Sequence, residues 1–77
     1  MRFHGLGLNL LVALHALLTE KSISRAAEKV FLSQPAMSNA LSRLREYFND
    51  DLLSTMGRQM TLTSRAESLV EPVREVL

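Results

Sequence analysis

The sequence predicts a mainly α fold: a three-helix core carrying a small two-stranded wing, followed by one further helix. Apolar residues recur at helical spacing in separate stretches along the chain. A hydroxyl residue, Ser22, Ser33 or Thr63, stands where an N-cap belongs before three of them. Hydrophobic residues make up 47% of the chain and aromatic residues only 5%, so the core must be built from Leu, Ala, Val and Met. With 77 residues there is one core and no room for a second, and a domain this small buries only a little over ~60% of its unfolded surface.

Taken in order, Leu8 to Thr19 forms the first helix, with Leu10, Leu11, Leu14, Leu17 and Leu18 on one broad buried face. Ser22 caps a short second helix reaching about Val30. Its Ala26, Ala27 and Val30 turn inward and its Arg25, Glu28 and Lys29 stay wet. Phe31 and Leu32 connect it to a third helix that opens on Ser33-Gln34-Pro35, a capping hydroxyl followed by a proline in the first turn. Met37, Leu41, Leu44 and Phe48 give that helix its core stripe, with Ala40 and Tyr47 beside it. Its opposite face carries Pro35, Ser38, Asn39, Ser42 and Arg43.

Asn49-Asp50-Asp51 ends the third helix, and Leu52 to Leu62 reads as two short strands around Met56-Gly57-Arg58. Thr63 caps the last helix, along which Ala66, Leu69, Val70, Val73 and Leu77 trace an apolar stripe. Pro72 removes one backbone hydrogen bond and predicts a bend near Ser68. A helix of this length with no C-terminal stop is weak alone, so the chain reads as a fragment whose last helix continues. Its stripe could pack only on the domain's own core, but its extension past the wing argues for a partner helix, paired through Leu69, Val73 and Leu77.

Composition removes several function classes. The absence of cysteine excludes a disulfide framework and a thiolate metal site, and His4 and His15 do not make an i,i+4 metal pair. The apolar stretch from Leu6 to Leu18 is interrupted by Asn9 and His15, is too short to span a bilayer, and is followed by no cleavage site, so the expectation is a cytoplasmic protein with no membrane partner. His15 as a pH switch has the plainer alternative of a packed or solvated helical histidine. Asp50-Asp51 is the one adjacent carboxylate pair, and it lacks a nucleophile or ligand set. An acidic helix-ending turn explains it, and neither an enzyme nor a cofactor is expected.

The net charge of +1 becomes informative when mapped. From Ser22 to Arg45 stand Arg25, Lys29, Arg43 and Arg45 against Glu28 alone, whereas Ala66 to Leu77 carries Glu67, Glu71 and Glu75 against Arg74. Two helices joined by a tight turn, the second presenting short polar side chains opposite its core stripe, fit what reading a DNA major groove requires. Gln34 and Asn39 can each pair bidentately with adenine, Ser38 can donate or accept, and Pro35 and Ala36 suit thymine methyl groups. Arg43 would reach phosphate one turn later. Arg25, Lys29, Ser24 and Ser33 would hold the backbone, and Arg58 at the wing tip would enter the neighbouring minor groove. If Arg25, Lys29, Arg43 and Arg58 each neutralise one phosphate, log affinity falls with log salt at a slope of about −3.6 per protomer. The bland counterpart is an ordinary solvated helix face with a solvated basic patch.

The run from Ser24 to Leu44, Ser-Arg-Ala-Ala-Glu-Lys-Val-Phe-Leu-Ser-Gln-Pro-Ala-Met-Ser-Asn-Ala-Leu-Ser-Arg-Leu, resembles the helix-turn-helix signature of LysR-type transcriptional regulators. The resemblance extends through Leu52-Leu53 and Arg58 to Leu62-Thr63. The opening Met1-Arg2-Phe3-His4-Gly5-Leu6, with Leu8-Asn9-Leu10-Leu11, is similar to the branch containing the rhizobial nodulation regulators. What this implies is a winged helix-turn-helix over residues 1–63 that binds double-stranded DNA. Residues 64–77 would begin a linker helix that forms a homodimer, and a C-terminal domain outside this chain would take a small-molecule effector. It also implies base contacts at Gln34, Pro35, Ala36, Ser38 and Asn39, and backbone or minor-groove contacts at Ser33, Arg43 and Arg58. Gly7 departs from the acidic residue frequent in that branch, Thr55 from a wing arginine, and Ser64 and Ala66 from the Pro and Gly common after Thr63. The competing class is a winged helix that presents the third or last helix to another protein and never touches nucleic acid.

Overall fold

Three side-chain caps set the frame of the structure, a computed structural model that describes residues 3, 5–56 and 59–77. The elements run α1 (Leu8–Glu20), α2 (Ile23–Lys29), α3 (Gln34–Phe48), β1 (Leu53–Met56), β2 (Gln59–Leu62) and α4 (Ser64–Val76). The Ser22, Ser33 and Thr63 hydroxyl oxygens accept from the amides of Arg25, Ala36 and Ala66 at 3.2, 3.2 and 3.1 Å, so α2, α3 and α4 begin where a local side chain satisfies an orphan N–H. At α1 the cap position is Gly7, and no side chain bonds there.

The connections are tight. Lys21 and Asn49 end α1 and α3 in the left-handed region. Phe31, at φ 60°, makes the turn between α2 and α3, where the Leu32 amide closes onto the Ala27 carbonyl at 2.8 Å. A left-handed backbone costs a bulky residue about 1–2 kcal/mol, and the turn persists because Ala26, Ala27 and Met37 are locked in the core on either side. Phe31 itself is 95% exposed.

The three helices α1, α2 and α3 pack around Leu14, Leu17, Ala26, Met37 and Leu44, all essentially inaccessible to solvent. α4 belongs to the same core. Leu69 and Val73 are each 0% exposed, so neither is free to pair with a second chain, which corrects the sequence expectation; a 3.6-residue stripe shows that a face is buried without showing by what. Of the three expected pairing residues, Leu77 remains exposed at 50%, beside Val76. Helical geometry continues from Ser64 to Val76 through Pro72. The missing N–H of Pro72 leaves the Ser68 carbonyl without its usual donor four residues on.

The wing is an antiparallel pair with Leu53 opposite Leu62 and Thr55 opposite Met60. Arg45 ties its base to α3, donating through Nε to the Asp51 carbonyl at 2.8 Å and through Nη2 to the Leu53 carbonyl at 3.0 Å. Phe48 closes the end of α3 with edge-on contacts to Phe3 and Tyr47, and the Arg65 guanidinium lies 5.9 Å from its ring centre.

Candidate nucleic-acid interface

Because α3 turns its core stripe toward α1 and α2, its remaining residues form two exposed rows. Gln34, Ser38 and Ser42 lie four apart along one flank. Ala36, Asn39 and Arg43 follow the other, and Pro35 stands between the rows at the N-terminal end. All are exposed, and among the described residues no hydrogen bond or ion pair engages the side chains of Gln34, Ser38, Asn39 or Arg43. The short side chains let the helix backbone come close to a partner surface, and the unengaged amides keep donor and acceptor available together. Ser33 spends a lone pair on its cap, while its O–H proton remains available to donate.

On the Gln34 flank lies a concavity of about 680 Å³, where Lys21, Ser22 and Arg25 at the α1–α2 turn meet Gln34 and, across from it, Met60 of the wing. Arg25 is exposed and its side chain has no partner among the described residues, and the Ser24 hydroxyl sits 3.2 Å from that of Ser22. Lys29, expected to be a free backbone cation, is paired instead: its Nζ donates to Glu20 Oε2 at 3.3 Å. Glu20 also lines the concavity. The pairing went unforeseen because the partners are nine residues apart on different helices. Lys21, by contrast, is an exposed cation on this rim that sequence reasoning passed over, since a lone lysine at the end of a helix gives no pattern.

Other polar residues near α3 are structural. Arg45, one of the basic residues of the middle segment, is spent on the two carbonyls described above. Asp50 accepts from the Thr63 hydroxyl at 2.6 Å and the Leu52 amide at 2.8 Å. These two bonds, the hydroxyl foremost, outweigh partial desolvation and, with the Arg65 charge, hold the Asp50 carboxyl below its ordinary value. Thr63 therefore joins the end of α3 to the first turn of α4. Arg58, expected at the wing tip, lies outside the described residues.

Residues 8–67 match the model of the bacterial regulatory helix-turn-helix proteins of the lysR family. The chain is 62% identical to a nodulation protein D 2 of Bradyrhizobium elkanii and 60% identical to a nodulation protein D 1 of Mesorhizobium japonicum, in each case over all 77 residues. It spans 23% and 24% of their lengths, about a quarter of those relatives. Its structure superposes on that of a probable transcriptional regulator of Pseudomonas aeruginosa with a TM-score of 0.86 at 38% identity, covering 92% of this chain and 24% of the other. The fold is also that of the BenM DNA-binding domain in its complex with catB site 1 DNA, with a TM-score of 0.81 at 24% identity over 91% of this chain and 79% of the other.

Proposed function

As the chain belongs to the lysR family of bacterial regulatory helix-turn-helix proteins, we propose that it reads double-stranded DNA with α3 in the major groove, as the DNA-binding head of a transcriptional regulator. The observation that carries this reading is the set of exposed, unengaged side chains on α3, Gln34, Ser38, Asn39 and Arg43, next to a concavity rimmed by Lys21 and Arg25. Gln34, Pro35, Ala36, Ser38 and Asn39 meet base edges. Ser24, Arg25, Ser33 and Arg43 hold the backbone, joined by Lys21 in the place first assigned to Lys29. Arg58 takes the minor groove, and no chemical step is involved.

The protein works as a homodimer in the bacterial cytoplasm over a twofold site, with the exposed end of α4 at Val76 and Leu77 contributing to pairing. The whole regulator takes a small-molecule effector through residues outside this chain. Among the described residues, no helix is long and apolar enough to cross a membrane.

The experiment is selection from randomised duplex DNA at two salt concentrations. An enriched inverted repeat with salt-dependent affinity is expected. Gln34→Ala should relax base preference while Arg25→Ala weakens every duplex alike. A second reading, a protein-docking module, draws on the exposed apolar side chains of Leu8, Val12, Phe31 and Leu32. It wins if no duplex is enriched and none binds at low salt.

A further inference from the structure

α3 is flanked on both sides, and the second flank holds a residue with no role so far. Opposite the Gln34 concavity, a groove of about 240 Å³ runs between α1 and α3, with Asn9, Leu10 and Ala13 on one wall and Ala36, Asn39 and Arg43 on the other. Asn9 stands at the start of α1, exposed, and among the described residues its amide has no hydrogen-bond partner. Its Oδ1 lies over Gly7, 2.8 Å from where a Cβ at that position would sit.

The DNA major groove is about 12 Å wide and a helix with its side chains about 10–12 Å across, so a helix seated there meets a sugar-phosphate strand along each flank. The Gln34 flank has its backbone seat in Lys21 and Arg25. The other has only Arg43 from α3 itself, and the residue facing Arg43 and Asn39 across the groove is Asn9. Resting on the DNA-reading function proposed above, we propose that Asn9 is a backbone-positioning residue. It donates its amide to a phosphate of the strand on the Arg43 side, so that α1 and α3 grip that strand between them. The contact is neutral and carries no base information, so it sets depth and register, not sequence preference.

The test uses the 77-residue chain with Asn9→Ala and Asn9→Lys, a specific and a random duplex, and a series of duplexes each bearing one neutral methylphosphonate. Asn9→Ala should weaken both duplexes alike, roughly three- to tenfold as for one lost hydrogen bond, with the salt slope unchanged. Asn9→Lys should steepen the slope by about 0.9, the increment for one added phosphate contact. One phosphate beside the Arg43 contact should lose affinity on neutralisation in the wild type and no longer do so in Asn9→Ala. Melting temperatures should stay near wild type, since the side chain is exposed. Variants that bind like the wild type, with every phosphate behaving alike in Asn9→Ala and wild type, would overturn the role of Asn9 while leaving the DNA-reading function intact. A wild type with no salt-dependent duplex binding would overturn that function, and this inference with it.

Discussion

Replacing Glu20 by glutamine should make this chain bind DNA more tightly and depend more steeply on salt. In the structure the Glu20 carboxylate lies 3.3 Å from the Lys29 ammonium, with side chains 29% and 51% exposed. Paired in this way, Lys29 arrives at a duplex already neutralised and releases no counterion of its own. Glu20→Gln keeps the shape and removes the charge, leaving Lys29 to neutralise a phosphate. One such contact changes the slope of log affinity against log salt by about 0.9, so the mutant's gain over wild type should shrink by a factor of about 3.5 as salt rises from roughly 50 to 200 mM. The stability cost is small, at most about 1 kcal/mol for a pair this exposed. Fluorescence anisotropy on one specific and one random duplex, over a salt series, reads the effect, and both duplexes should gain equally. The reasoning is refuted if Glu20→Gln leaves the slope unchanged while Lys29→Ala in the wild type flattens it by the full increment, because Lys29 would then be free in spite of its neighbour.

Thr63→Val should remove the α4 cap, worth about 1 kcal/mol, and lower Tm by roughly 4–8 °C for a domain of this size, with a further loss from Asp50 at neutral pH. Because the folded Asp50 carboxyl titrates below its ordinary 3.8, its contribution is fully present above that value and disappears as pH falls through the lowered one. A series of melts from pH 7 into acid should therefore show the gap between Thr63→Val and wild type narrowing as pH falls through and below the lowered value, and a gap that stays constant while wild-type Asp50 is seen to protonate would detach Asp50 from Thr63. Arg45→Met should destabilise the domain by roughly 2 kcal/mol in denaturant melts, through two abandoned carbonyls, without altering the salt slope of DNA binding; a flatter slope would make Arg45 a phosphate contact. Phe31→Asn should raise stability by about 0.5–1 kcal/mol, because asparagine tolerates the left-handed turn and almost no buried surface is lost; a loss would mean that the ring packs on something in solution.

Those features were legible in the sequence whose causes are local. Ser22, Ser33 and Thr63 cap helices because a hydroxyl reaches an amide three residues on, a relation visible in any window of four residues. Met37, Leu41, Leu44 and Phe48 mark the buried side of α3 through periodicity alone, and the exposed face follows as its complement. What stayed hidden depends on tertiary placement. Leu69 and Val73 were assigned outward because a stripe does not say which body covers it. Glu20 and Lys29 meet only once α1 and α2 are folded against each other, and Asp50 reaches Thr63 across the whole wing. Asn49 in the left-handed region is a familiar helix end, whereas Leu52 at φ 63° is not a residue that advertises such a backbone.

The junction around Thr63 has a mechanical consequence. α4 lies in the same core as α1, and its first turn is tied through Thr63 and Asp50 to the end of α3, so no hinge separates the last helix from the reading helix. Thirteen residues of α4 at about 1.5 Å each make an arm roughly 20 Å long. Moving the tip of that arm by about 2 Å about its base tilts the whole head by roughly 6°. If α3 enters the groove as proposed, whatever grips the far end of α4 would set the angle at which it does so, and two heads gripped there would be held at one spacing.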